Sequence, residues 1–273
     1  FMRIGNKDFD TKNNVYIMGI LNVTPDSFSD GGKFNNMDKA LFHVEEMIKA
    51  GADIIDVGGE STRPGYTKIS DQEEIDRVVP VLEAIRSRFD TCLSLDTYKS
   101  GVVKGAGHTI DLVNDIWGFK YDPNMAKTVK DLDLACCLMH NRKEHDYVDF
   151  WSDLLDDLKG SVKLALDAGI EKDRIMLDGG VGFQKTYEEN LMVINRTEDL
   201  CKLGYPLLMA TSKKSVIGLT IDKPVTERTI ATLATTVIGI QKGASFVRVH
   251  DIEENADIIK MTKAILSEQK WSM

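Results

Sequence analysis

Eight short apolar runs, each followed by a segment of helical periodicity, recur along a chain of 273 residues without a long Pro-, Gly- or Ser-rich linker. This alternation predicts an α/β fold, and one (β/α)8 or TIM barrel of about 250 residues would use nearly the whole chain. Residues 1–273 are therefore read as a single barrel domain with a short N-terminal extension.

The strands are expected at Val15–Leu21, Ile54–Val57, Cys92–Leu95, Leu112–Val113, Leu134–Met139, Ile175–Leu177, Leu207–Met209 and Phe246–Val249. Between the first two, Ala40, Leu41, Val44, Met47 and Ile48 form one helical stripe that stops at Gly51, as a C-cap would. Ser70 with Glu73 predicts a capping box opening the second helix, and Pro80 inside it predicts a kink. Further helices are expected at Ser100–Ala106, Pro123–Leu132, Asp153–Ala168, Thr186–Leu203, Thr226–Gln241 and Glu253–Leu266. The segment Met2–Thr11 precedes the first strand and is expected to cover the bottom of the barrel.

Composition narrows the function. A net charge of -9 without a basic block argues against a nucleic-acid surface, and no apolar run reaches the ~20 residues of a membrane span. With no secretory signal pattern at the start, where Phe1 precedes Met2, a cytoplasmic protein is expected. Cys92, Cys136, Cys137 and Cys201 lack metal-ligand spacing, and adjacent Cys136 and Cys137 should face opposite sides of a strand. Their expected role is as small buried hydrophobes.

Active sites of such barrels form where the strands end and the βα loops begin. Here those ends supply Asn22; Glu60 with Thr62 and Arg63; Asp96; Asn114 with Asp115; His140; Asp178; Ser212 with Lys214 and Ser215; and Arg248, His250 and Asp251. One such residue would read as a helix cap; eight ends together read as a site. Asp96, Asn114 and Asp178 suit a flat heterocycle edged by N–H and carbonyl groups, and Lys214 would donate to its acceptors. The structural alternative is a buried Asp178–Lys214 ion pair. Arg248 and His250, two apart on a strand, share a face and make an anion site.

Two loops are too rich in polar groups to be spacers. Asn22–Gly32 reads Asn-Val-Thr-Pro-Asp-Ser-Phe-Ser-Asp-Gly-Gly, and the second strand runs into Gly58-Gly59-Glu60-Ser61-Thr62-Arg63-Pro64-Gly65. Ser212-Lys213-Lys214-Ser215 is no Walker motif, but a helix starting there would offer N–H groups to a carboxylate. Neither a Ser-His-Asp nor a Cys-His arrangement is suggested, so positioning and electrostatics must carry the chemistry.

These loops resemble the signature segments of the dihydropteroate synthase family, and the resemblance extends from Val15 to Asp251. It implies Mg²⁺-dependent condensation of 6-hydroxymethyl-7,8-dihydropterin pyrophosphate with p-aminobenzoate, in a homodimer that is a sulfonamide target. It puts Asp96, Asn114, Asp178 and Lys214 in the pterin pocket, with Met139 and Phe183 as apolar wall. Asn22, Thr62, Arg63, Arg248 and His250 would hold the pyrophosphate, Asn22 also binding the metal. Ser215, Phe28 and Pro64 would contact p-aminobenzoate. Asp30 is the candidate to stabilise a cationic pterin, while Arg63, Arg248 and His250 meet charge on the leaving oxygens. On this reading Arg248 faces the pyrophosphate and not the ring.

Departures from the family pattern fall in three loops. Gly179 stands where Pro is usual, which should make the sixth loop more flexible; Gln184 stands where Gly is common; and Lys213 stands in Ser212-Lys213-Lys214 where Arg is usual. After His140, the segment Asn141-Arg142-Lys143-Glu144-His145 replaces the usual Met-Gln-Gly. Two rivals remain at this level: a pterin-binding methyltransferase domain, against which Arg63, Arg248 and His250 weigh, and a pterin-binding protein without catalysis.

Overall fold

The structure is a computed structural model that describes residues 1–23, 33–61 and 66–271. An antiparallel hairpin, β1 (Met2–Ile4) with β2 (Lys7–Phe9), comes first. Then follow β3 (Tyr16–Asn22), α1 (Lys33–Ala50), β4 (Ile54–Gly58), α2 (Asp71–Arg88), β5 (Cys92–Asp96), α3 (Ser100–Ala106), β6 (Leu112–Asp115) and α4 (Met125–Asp131). The second half comprises β7 (Ala135–Met139), α5 (Phe150–Asp167), β8 (Ile175–Asp178), α6 (Tyr187–Asn195), α7 (Thr197–Cys201), β9 (Leu207–Met209), α8 (Ser215–Ile221), α9 (Thr229–Gln241), β10 (Phe246–Val249) and α10 (Ile252–Ser267). Strands β3 to β10 are parallel and close on themselves, β10 pairing with both β3 and β9.

The strands have two kinds of apolar face. Outward residues such as Ile55, Val57, Leu93, Cys136 and Leu177 pack in the large core beneath the helices. Inward residues at the barrel's lower end, Met18, Ile54, Cys92, Leu112, Cys137, Met176, Leu208 and Phe246, form a second cluster. Cys136 and Cys137 thus divide between the two faces, as strand alternation requires. Met2, Ile4 and Phe9 of the hairpin seal the inner cluster, and Phe9 meets the Tyr16 ring edge-on at 4.8 Å. Burying side chains of this size stabilises by about 1.5–3 kcal/mol each. The extension therefore does cover the bottom.

Gly19 shows why the helices can sit so close to β3. A Cβ there would lie 2.8 Å from Met47 Sδ on α1 and 3.2 Å from Ile252 Cδ1 on α10. Gly51 adopts φ +109 just after α1, in keeping with its expected capping role.

Local expectations differ in three places. Ser70 accepts from Glu73 N at 3.1 Å, but the Glu73 carboxylate turns to Arg77, so only half of the capping box forms; the full box is at Thr186 and Glu189. The helix expected over Thr186–Leu203 is two helices that part at Arg196, where Thr197 Oγ1 bonds back to Ile194 O at 2.9 Å and competes with the backbone ladder. Helix α9 starts at Thr229, because Val225–Glu227 forms a 3-10 turn after Pro224. Helix α2 runs as one element through Pro80.

Candidate active site

Strand alternation builds the site one layer above the inner apolar cluster. Two residues on from Ile54, Cys92, Leu112, Cys137, Met176 and Phe246 come Asp56, Ser94, Asn114, Met139, Asp178 and Arg248. The barrel therefore changes from hydrocarbon to charge within one step of the pleat. One further step brings Asn22 and Asp96 to the rim, with His250 just past the end of β10.

Arg248 lies at the centre of this layer. Its Nε donates to Asp56 Oδ2 at 2.6 Å and its Nη2 to Asp96 Oδ2 at 2.8 Å, while Asn114 Nδ2 donates to the same Asp56 oxygen at 3.1 Å. A guanidinium has five N–H donors, so these two bonds leave three for a ligand. Asp56 Oδ1 and Asp96 Oδ1 are buried and have no protein partner among the described residues. Burial pushes the Asp96 carboxyl well above its ordinary range, with Arg248 as the main opposing charge. Its uncompensated oxygen is what a ligand N–H would satisfy.

Asp178 ends β8 and accepts from Gly180 N through Oδ1 at 2.8 Å, so the turn that follows orients it. Burial raises its pKa against the pull of Lys214. Yet no Asp178–Lys214 ion pair forms among the described residues: Lys214 Nζ instead donates to Val181 O at 2.5 Å and stands 5.1 Å from the Phe183 ring centre. Burial lowers the Lys214 pKa to about 8. Met139 packs with Tyr98 and Ile116, and Phe183 and Trp117 lie against them, making one apolar wall.

At the rim, Ser212 Oγ lies 2.8 Å from His250 Nδ1 and accepts from His250 N at 3.2 Å. Ser215 opens α8 with an exposed side chain. Lys213 has φ +57 and is held by Asp251 at 2.8 Å and by Arg228 Nη1 donating to its carbonyl at 2.9 Å. Gly179 is packed, for a Cβ there would come within 2.6 Å of Val193 Cγ1 and 2.9 Å of Leu200 Cδ1; that packing opposes the flexibility expected of this loop. Phe28, Asp30, Thr62, Arg63 and Pro64 lie outside the described residues.

The structure thus brings Asn22, Asp96, Asn114, Met139, Asp178, Phe183, Lys214, Arg248 and His250 to one end of the barrel. The spacing of Arg248 and His250 does not show that Arg248 also serves the layer below the rim, because its carboxylate partners come from other strands. Asp56, Tyr98, Ile116 and Trp117 went unrecognised in the sequence. Asp56 did carry a signal, a carboxylate inside the apolar run Ile54–Val57; the other three did not.

A closed barrel whose mouth combines buried carboxylates, an amide and two cations beside an apolar wall defines a pterin-binding barrel enzyme, and the family described as pterin binding enzyme matches residues 18–250. A dihydropteroate synthase of Clostridium beijerinckii is 55% identical over 267 residues, 97% of this chain and 99% of the relative. Among solved structures, a dihydropteroate synthase of Clostridium difficile, crystallised in the presence of pteroic acid, superposes with a TM-score of 0.92 at 46% identity, covering 94% of this chain and 99% of that one. A Yersinia pestis dihydropteroate synthase in a sulfonamide drug complex gives 0.90 at 38% identity, covering 97% and 99%. This chain belongs to the dihydropteroate synthases, transferases of folate biosynthesis. The methyltransferase and binding-only readings give way to that finding.

Proposed function

We propose that residues 1–273 form one catalytic domain, which joins 6-hydroxymethyl-7,8-dihydropterin pyrophosphate to p-aminobenzoate with Mg²⁺. The observation that carries the assignment of the pterin is the pair of buried carboxylates at the barrel mouth: Asp96 keeps a buried oxygen with no protein hydrogen bond among the described residues, and Asp178 is oriented there by the Gly180 N–H. They grip the N–H edge of the pterin, with Asn114 and Lys214 completing the polar rim and Met139 and Phe183 the wall. The unused N–H groups of Arg248, with His250, Asn22, Thr62 and Arg63, receive the pyrophosphate.

Asn22 is exposed at the end of β3 and offers an amide oxygen, and among the described residues no His, Cys, Asp and Glu cluster forms a metal cage. That donor set fits Mg²⁺, which makes few protein contacts and relies on substrate phosphates. When bound there, the ion would neutralise charge on the pyrophosphate. The protein's own part is to hold the pterin while the bond from its methylene carbon to the pyrophosphate oxygen breaks, with Arg248, His250 and Arg63 meeting the developing charge. Asp30 stabilises the pterin cation. Ser215, Phe28 and Pro64 present the arylamine, whose nitrogen bonds to that carbon and loses a proton.

A homodimer is part of this reading, and Leu219, Ile230, Met261 and Ile265 on α8, α9 and α10 are exposed apolar side chains available to such an interface. No helix among the described residues is long and apolar enough to cross a membrane. The decisive experiment supplies the two substrates with and without Mg²⁺ and assays dihydropteroate and pyrophosphate. Formation of both in equal amounts only with the metal is expected; metal-independent turnover would overturn the Mg²⁺ reading.

A further inference from the structure

The loop after β8 carries an amine that the reaction above leaves unused. Lys185 Nζ donates to Phe183 O at 2.9 Å and lies 3.0 Å from His140 Nδ1, while His140 Nε2 lies 3.0 Å from Asp157 Oδ2. Arg142 Nε donates to the same Asp157 oxygen at 2.7 Å, and Lys120 Nζ stands 3.4 Å from its Oδ1. Burial alone would raise Asp157, but its bonds to His140 and Arg142 hold it well below the usual carboxylate range. Burial lowers His140 to about 4, so its ring is neutral. An ionised carboxylate only accepts, which puts the imidazole proton on Nε2 and leaves Nδ1 to accept from Lys185.

The order of donors is therefore Lys185 to His140 to Asp157. Two partners match the two N–H groups of a neutral amine. A lysine ammonium has a third, with no protein partner among the described residues.

The loops after β7 and β8 are tied together around this chain of bonds. Gln184 Nε2 donates to Lys143 O at 2.9 Å, and Tyr147 OH donates to Gln184 O at 3.1 Å. The Tyr147 ring lies 6.0 Å from that of His140, with Arg142 4.5 Å from the centre of Tyr147. At Gly180, φ +71, a Cβ would stand 2.0 Å from His140 O, so the turn after Asp178 rests directly on the other loop. Gln184 itself takes φ +44, a conformation that side chains resist. Those bonds hold it there. Two departures from the family pattern, Gln184 and the segment after His140, thus meet each other in space.

We propose that Lys185 is a positioning residue for the pterin, acting through His140 and Asp157 to seat the Phe183 wall and the Asp178 turn, and that pterin binding favours its neutral form. The inference rests on Asp178 and Phe183 lining the pterin pocket. Burial lowers Lys185 to about 7. Of the charged groups that face it, Asp178, Glu189 and Asp157 favour the ammonium and Lys214 opposes it. Neutral His140 completes its surroundings. A pterin whose N–H edge occupies the Asp178 carboxylate offsets the leading charge that favours the ammonium, so affinity rises as pH climbs through the lysine's pKa and protons are released on binding.

The test is calorimetric titration of 6-hydroxymethylpterin, which lacks phosphates, into wild type, Lys185→Met and Lys185→Arg between about pH 6 and 8, with melting temperatures measured for each. Wild type should bind more tightly at the higher pH. Lys185→Met should weaken binding about tenfold there, by loss of the two bonds, and reduce the slope to what Asp96 and Lys214 contribute. Lys185→Arg should recover part of the affinity but keep the reduced slope, since a guanidinium does not titrate in this range. If Lys185→Met does not fold, Tyr147→Phe, which removes the bond to Gln184, should weaken binding severalfold. A Lys185→Met variant that keeps the wild-type affinity and slope overturns the inference, as does one that loses only melting temperature; so does wild-type binding by Tyr147→Phe. If wild type itself binds no pterin, the pocket assignment has failed.

Discussion

Replacing Arg248 with Met would keep much of the aliphatic stem and remove only the charge. Asp56, which is 0% exposed, and Asp96, at 8%, would then face each other without the guanidinium that bonds both at 2.6 and 2.8 Å. Removing one partner of a buried pair costs about 3–5 kcal/mol, most of it from the charge left behind. Protonation sets a ceiling on the loss. A carboxyl whose ionisation becomes too expensive takes up a proton, and Asp96 is already displaced upward by burial with Arg248 as its chief counterweight.

The sign follows from that direction. A carboxyl with a raised folded pKa penalises the fold above its unfolded value, and the penalty fades as pH falls through the folded one. The variant's stability deficit should therefore be greatest in neutral and alkaline solution and shrink toward about pH 5. Urea unfolding of both proteins at about pH 5 and 8 measures it. Phosphate-free pterin binding should weaken too, because Asp96 loses its orientation, in contrast to the expectation from the family resemblance that Arg248 faces the pyrophosphate and not the ring. A deficit under about 1 kcal/mol, or one equal at both pH values, would refute this account of the buried charges.

Three further outcomes are expected. Asp178→Ala should weaken pterin binding by about 2–5 kcal/mol, the cost of truncating one side of a buried charged contact; calorimetry on a folded variant that shows unchanged affinity would reject the role. Asp30→Ala should lower kcat far more than it weakens binary pterin affinity, and equal losses would make it a ground-state ligand instead. Removing Mg²⁺ or pyrophosphate should loosen p-aminobenzoate or sulfonamide binding, and equally tight binding without the anion would sink the idea that it assembles the aromatic site.

The barrel was legible before folding because its signal is local. Alternation along a strand sends Cys136 outward and Cys137 inward whatever the neighbours are, and each apolar run needs a helix to cover its outer face. The positions of Asn22, Asp96, Asn114, Asp178, Lys214 and Arg248 were legible for the same reason, since polar residues ending eight strands of one barrel must converge. Partnership was not local. Arg248 finds Asp56 across 192 residues and Asp96 across 152, and Lys185 finds His140 across 45. Nothing in the spacing of a pair along the chain encodes such distances; closure of the barrel does. The sequence by itself determined the scaffold and which residues reach its mouth, whereas tertiary structure decided which charges neutralise one another there and which oxygens are left for a substrate, because burial and pairing depend on what other strands bring alongside.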